Sequence, residues 1–135
     1  MARTKTRLNR VQSRALEVQA GFLRALVERD PGYVDAIEEL AEIELQLGRV
    51  DVVLRLDERL KGLRPADPEI RYNLACSLSL NRQFEQAAAE LSKALELGFE
   101  DVQSLQSDPD LEDLRAHPAF RPIRARLRTL KVPPP

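Results

Sequence analysis

Apolar residues recur along this chain at helical spacing. Leu8, Val11, Ala15, Val18 and Phe22 follow one another at alternating steps of three and four, with Leu23 and Leu26 behind them. That period predicts one long amphipathic helix over residues 7–29. Further on, Ile70, Leu74 and Leu78 form one stripe and Phe84, Ala87, Leu91 and Ala94 another, which predicts a pair of helices. Punctuation agrees with the period. Asp30-Pro31 and Asp67-Pro68 offer an N-cap followed by proline at the first helical position, and Gly48 and Asn81 fall where a helix must end in a left-handed residue. Asp101, Asp108-Pro109 and His117-Pro118 each read as a helix start, the last opening a helix near 118–130. Residues 131–135, Val132 and three prolines among them, read as a frayed, disordered tail.

The pattern also repeats. Asp30 and Arg64, Pro31 and Pro65, Leu40 and Leu74, Ala41 and Ala75, and Val50 and Phe84 all share one constant offset along the chain. One repeat therefore spans 33–66 and the next 67–100, each a pair of helices joined by a short turn and so antiparallel. The expected architecture is all-α: a single domain over 1–135, with helix-turn-helix repeats stacked as a short right-handed solenoid. The helix at 7–29 lies ahead of them and capping helices at 101–130 close the stack.

With these residues in view the chain resembles the tetratricopeptide repeat family. The likeness is carried by Tyr72-Asn73-Leu74-Ala75, by Phe84-Glu85-Gln86-Ala87 and by Lys93-Ala94-Leu95-Glu96-Leu97. Leu74, Ala75, Phe84, Ala87 and Ala94 occupy the family's alternating large and small places, where small residues let helices approach closely and large ones fill the space between hairpins. The first repeat matches at Leu40, Ala41, Gly48, Val53, Leu60 and Pro65 and departs at two positions. Glu44 stands where an aromatic is usual and Asp57 where a large apolar residue is usual, so packing there is expected either to be thinner or to shift onto Ile43 and Leu56. The segment from Gly98-Phe99 through Ser107-Asp108-Pro109-Asp110-Leu111 to Pro118 and Phe120 is similar to the closing segment of bacterial repeat proteins of this kind. The resemblance implies protein binding on a concave surface lined by the first helix of each pair.

Charge adds a direction. The net charge is −1, yet all 22 acidic residues lie between Glu17 and Asp113 beside 10 basic ones, a balance of −12. Arg3, Lys5, Arg7, Arg10 and Arg14 give the start +5, and Arg115, Arg121, Arg124, Arg126, Arg128 and Lys131 give the end +6. Such ends meet a nucleic acid or a membrane, turn back on the acidic body, or are simply solvated with no partner, the last being the ordinary case for charged ends. Only Phe120 accompanies them as a stacking platform, which argues against nucleic acid. No segment approaches the ~20 apolar residues of a membrane span. The acid-free, Arg-rich residues 2–16 also describe an organellar transit peptide; one cysteine and the absence of a secretory pattern make the cytoplasm the expectation.

Catalytic constellations are missing. Cys76 with His117 makes a thiol dyad only if two residues far apart in the chain meet, and the acids at Asp108, Asp110, Glu112 and Asp113 have a sufficient cause in helix capping. Neither phosphate-cradling glycine motif occurs. The chain is therefore expected to be no enzyme and to hold no metal or cofactor. What remains is the concave face: Asp35, Glu38 and Glu42 point away from the Ala36–Leu40–Ile43–Leu47 core stripe, and Glu69, Tyr72 and Cys76 take the matching places in the second repeat, with Asn73 and Ser79 beside them. These residues together are the predicted partner-binding groove, and its partner a basic or amphipathic segment of another protein. The alternative is a homo-oligomeric, chaperone-like assembly built on the basic N-terminal helix.

Overall fold

A computed structural model describes Arg3 and residues 7–130. All regular structure among these residues is helical. Five helices of ordinary length come first: α1 (Arg10–Arg29), α2 (Val34–Gln46), α3 (Val50–Leu63), α4 (Pro68–Leu80) and α5 (Phe84–Glu96). A run of short pieces follows: α6 (Val102–Ser107), a 3-10 turn (Pro109–Leu111), α7 (Glu112–Arg115), a second 3-10 turn (Pro118–Phe120) and α8 (Arg121–Leu130). Each of α2 to α5 packs on its predecessor, and the two 3-10 turns, α7 and α8 pack on α4 or α5. The expectation for 131–135 lies outside the described residues.

Local chemistry explains the breaks. Asn9 accepts from the Gln12 amide while the Gln12 side chain accepts from the Asn9 amide, a reciprocal cap that starts α1. Asp67 caps α4 ahead of Pro68 as expected, accepting from Glu69 and Ile70. Asp101, Asp108 and His117 cap the three late starts. Asp30-Pro31 is different, because Asp30 ends α1 and Pro31 lies in the turn, with Tyr33 preceding α2. The repeat explains this: Pro31 matches Pro65, also in a turn, and not Pro68. Gly48 is left-handed at φ +79°, but the second repeat turns at Arg82, φ +60°, and not at Asn81. Arg82 stands one full repeat after Gly48, so the backbone keeps the repeat where residue preference pointed elsewhere. Asn81 instead donates through its side chain to the Val50 and Ser77 carbonyls.

Two apolar clusters form the core. The first joins Ala20, Leu23 and Val27 of α1 to Ile37, Leu40, Ala41 and Leu45 of α2 and Val53, Leu56 and Leu60 of α3. The second joins Leu74, Phe84, Ala87, Leu91 and Ala94 to Leu105, Leu111, Leu114, Phe120, Ile123 and Leu127, so residues 101–130 do cover the last pair. In α1 the packed face is not the predicted one. Leu16, Ala20, Leu23, Leu26 and Val27 meet the core, whereas Val11, Val18 and Phe22 are 78%, 70% and 68% exposed. This helix is apolar on two sides, and among the described residues only the side facing α2 is covered.

Candidate functional site

Asp35, Glu38 and Glu42 lie about one turn apart on α2 and are exposed, as is Glu69 in the first turn of α4. Glu38 feels its neighbours: partial burial, then the carboxylates of Asp35 and Asp67, raise its pKa above the ordinary carboxylate value. Asp67 opens α4, so the negative field runs from α2 to the start of the second pair.

The other predicted groove residues divide. Asn73 is half-buried, but Tyr72, Cys76 and Ser79 are core residues, with Tyr72 0% exposed. For Tyr72 and Cys76 the burial has one cause. The C-terminal segment folds onto α4, and the Tyr72 hydroxyl donates to Asp108 Oδ2 at 2.6 Å while its ring stacks on Phe99 at 4.4 Å. Tyr72 therefore ties the closing segment down and offers no anchor to a partner. Cys76 Sγ lies 3.7 Å from the same Asp108 oxygen, and burial, aided by that carboxylate, pushes its thiol pKa well up. His117 accepts from the Ala119 amide and stacks on Phe84 at 4.6 Å. Each thus has neighbours other than the partner a dyad would require. Among the described residues, Ser79 Oγ is buried without a hydrogen-bond partner.

The structure adds two residues to the site. Asp57 of α3 is 0% exposed, and Arg3 grips it with both guanidinium nitrogens, Nη2 to Oδ1 at 2.6 Å and Nη1 to Oδ2 at 3.0 Å. The Ser77 hydroxyl of α4 donates to the same carboxylate. Burial works against the charged Arg3 guanidinium, but the Asp57 carboxylate outweighs it and the pKa rises. Arg3 also lies within electrostatic reach of Glu42 and Glu38. The signal for Asp57 was its break in the apolar pattern; the other departure, Glu44, is likewise buried and ion-paired, to Arg24 at 3.3 Å and Arg49 at 3.2 Å. Ile43 and Leu56 are both buried.

Elsewhere an open cleft of about 660 Å³ runs beside α3 and α5, lined by Glu58, Lys61, Leu74, Gln86 and Glu90 among others. Glu90 is held there by Lys61 at 2.5 Å and Arg71 at 3.0 Å, and the cleft includes none of the exposed acids of α2. Among the described residues no cluster of three or more potential metal ligands occurs, and no helix is long and apolar enough to cross a membrane.

No family model matches the chain. It is similar to a chloroplastic protein of Arabidopsis thaliana, at 35% identity over 79 residues, which is 56% of this chain and 24% of that protein. The matching part thus spans about a quarter of that relative's length.

Proposed function

We propose that this chain is a non-catalytic interaction module of the tetratricopeptide kind, its two helix pairs stacked as a short right-handed solenoid, that binds a basic or amphipathic segment of a partner protein. The observation that carries the reading is the gathering of Asp35, Glu38 and Glu42 with the start of α4 on one exposed face, where partial burial and then the neighbouring carboxylates raise the Glu38 pKa. A cation arriving there relieves like-charge repulsion. Exposed pairs contribute only ~0–1 kcal/mol each, so the acids mainly steer and select. Affinity should fall as pH drops into the carboxylate range, Glu38 protonating ahead of an ordinary glutamate because its pKa is raised. The shared repeat register of Leu40 with Leu74 and Val53 with Ala87, all buried, supports the repeat architecture. The test is fluorescence anisotropy with a Lys/Arg-rich amphipathic peptide and its glutamate-substituted counterpart, at two salt concentrations, on wild type and on Glu38→Lys/Glu42→Lys. The basic peptide should bind wild type, weaken with salt and lose affinity for the double variant. Equal binding of both peptides refutes the reading.

A second reading, self-association through α1, is favoured by the exposed stripe of Val11, Val18 and Phe22. The counterparts of Val18 and Phe22 one repeat later, Val52 and Leu56, pack against the core. A second copy presenting the same stripe would cover it in a closed, two-fold pairing.

A further inference from the structure

We propose that Asp57 is the centre of an arginine-recognition site at the floor of the acidic face, occupied in cis by Arg3, and that a partner binds by exchanging its own arginine for this one. The inference rests on the acidic-face reading and names the side chain that face selects.

Three observations converge. First, Asp57 stands in a register where the positions one repeat before and one repeat after hold Leu23 and Leu91, both buried. The fold accepts leucine there in the repeat-equivalent helices α1 and α5, so packing does not require an acid. Second, a buried ion pair is weak evidence for stability, since well-packed apolar residues commonly do as well. A carboxylate at this core position is therefore better explained by what it binds. Third, the site is built for a guanidinium. Both Asp57 oxygens face both Arg3 terminal nitrogens, and Ser77 of α4 donates to the carboxylate from the neighbouring helix. A planar fork satisfies that geometry and an ammonium does not. Glu38 and Glu42 stand near the same guanidinium, so an incoming arginine is attracted before it is gripped.

Arg3 competes as a tethered ligand. Tethering gives it a high effective concentration, and a site ~90% filled in cis lowers the apparent affinity for an outside arginine about tenfold. Removing Arg3 should therefore open the site.

The experiment uses the full chain and a fluorescent peptide of its own residues 1–9, alongside the same peptide carrying Arg3→Lys. Anisotropy is measured on wild type, on the Arg3→Ala chain, and on Arg3→Ala combined with Asp57→Asn or Asp57→Leu, circular dichroism confirming helicity. Leucine serves as the folding control because the register already holds it on either side. The arginine peptide should bind the Arg3→Ala chain about tenfold tighter than wild type. It should bind about tenfold tighter than the lysine peptide, the difference expected for a lost bidentate contact, and fail on both Asp57 variants. Equal affinity for wild type and the Arg3→Ala chain, or no binding to either, overturns the proposal. So does binding indifferent to lysine and to Asp57. In that last case sensitivity to Glu38→Lys/Glu42→Lys would leave the acidic-face reading standing, and insensitivity would remove both.

Discussion

Tyr72→Phe isolates the link between the repeat helices and the segment that closes them. The substitution keeps the ring stacked on Phe99 and removes only the hydroxyl that reaches Asp108 at 2.6 Å. Asp108 is nearly inaccessible, at 3% exposure, and retains the Asp110 amide at 3.0 Å and the weak thiol of Cys76. Hydrogen bonds to charged groups contribute ~1.5–3 kcal/mol, and water cannot readily replace a donor at a site this buried. For a domain of this size each kcal/mol shifts Tm by roughly 3–5 °C, so the variant should melt roughly 5–15 °C below wild type. Urea unfolding followed by circular dichroism should give the same loss with an unchanged slope, and a cycle with Asp108→Ala should return a coupling above ~1 kcal/mol. A loss under ~0.5 kcal/mol, or additive single effects, would refute the claim that this bond fastens the closing segment.

Further consequences follow from burial elsewhere. Ala87→Leu, at a fully buried site between α4 and α5, should cost ~1–3 kcal/mol in urea unfolding; wild-type stability would show that these helices are not close-packed there. Ser79→Ala should raise stability by about 1 kcal/mol, because it deletes a buried hydroxyl that has no partner among the described residues; a loss of that size would mean the hydroxyl is bonded. If α1 pairs with a second copy, Phe22→Glu should reduce the mass seen by light scattering to that of one chain without lowering helicity, and an unchanged mass would dismiss the second reading.

Which parts of this molecule were legible beforehand depended on whether the deciding contact was local. Caps at Asp67, Asp101, Asp108 and His117 could be read because each is satisfied within a turn of itself. The left-handed turn of the second repeat was misplaced for a related reason. Asparagine is the better residue for that conformation, yet the geometry set by Gly48 recurs at Arg82, and the repeat prevailed. In α1, both Leu16–Ala20–Leu23–Val27 and Val11–Ala15–Val18–Phe22 have helical spacing. Periodicity says that a face is apolar and not that something covers it. Tyr72 and Cys76 do follow the register of the exposed Glu38 and Glu42 on α2, but they are covered by residues far along the chain that fold back onto α4, whereas Ser79 falls in the register of the buried Leu45. Asp57 stood out as a break in the pattern, while its distant partner Arg3 left no local signal.

The central claim, that the acidic face of α2 and α4 receives a basic segment, is tested most directly by amide chemical-shift mapping on the full chain titrated with the Lys/Arg-rich amphipathic peptide. The account predicts perturbations concentrated at Asp35, Glu38, Glu42, Glu69 and Asn73, diminished by salt. Shifts confined instead to Glu58, Gln86 and Glu90 in the cleft beside α3 and α5, or to Val11, Val18 and Phe22 on α1, would contradict it.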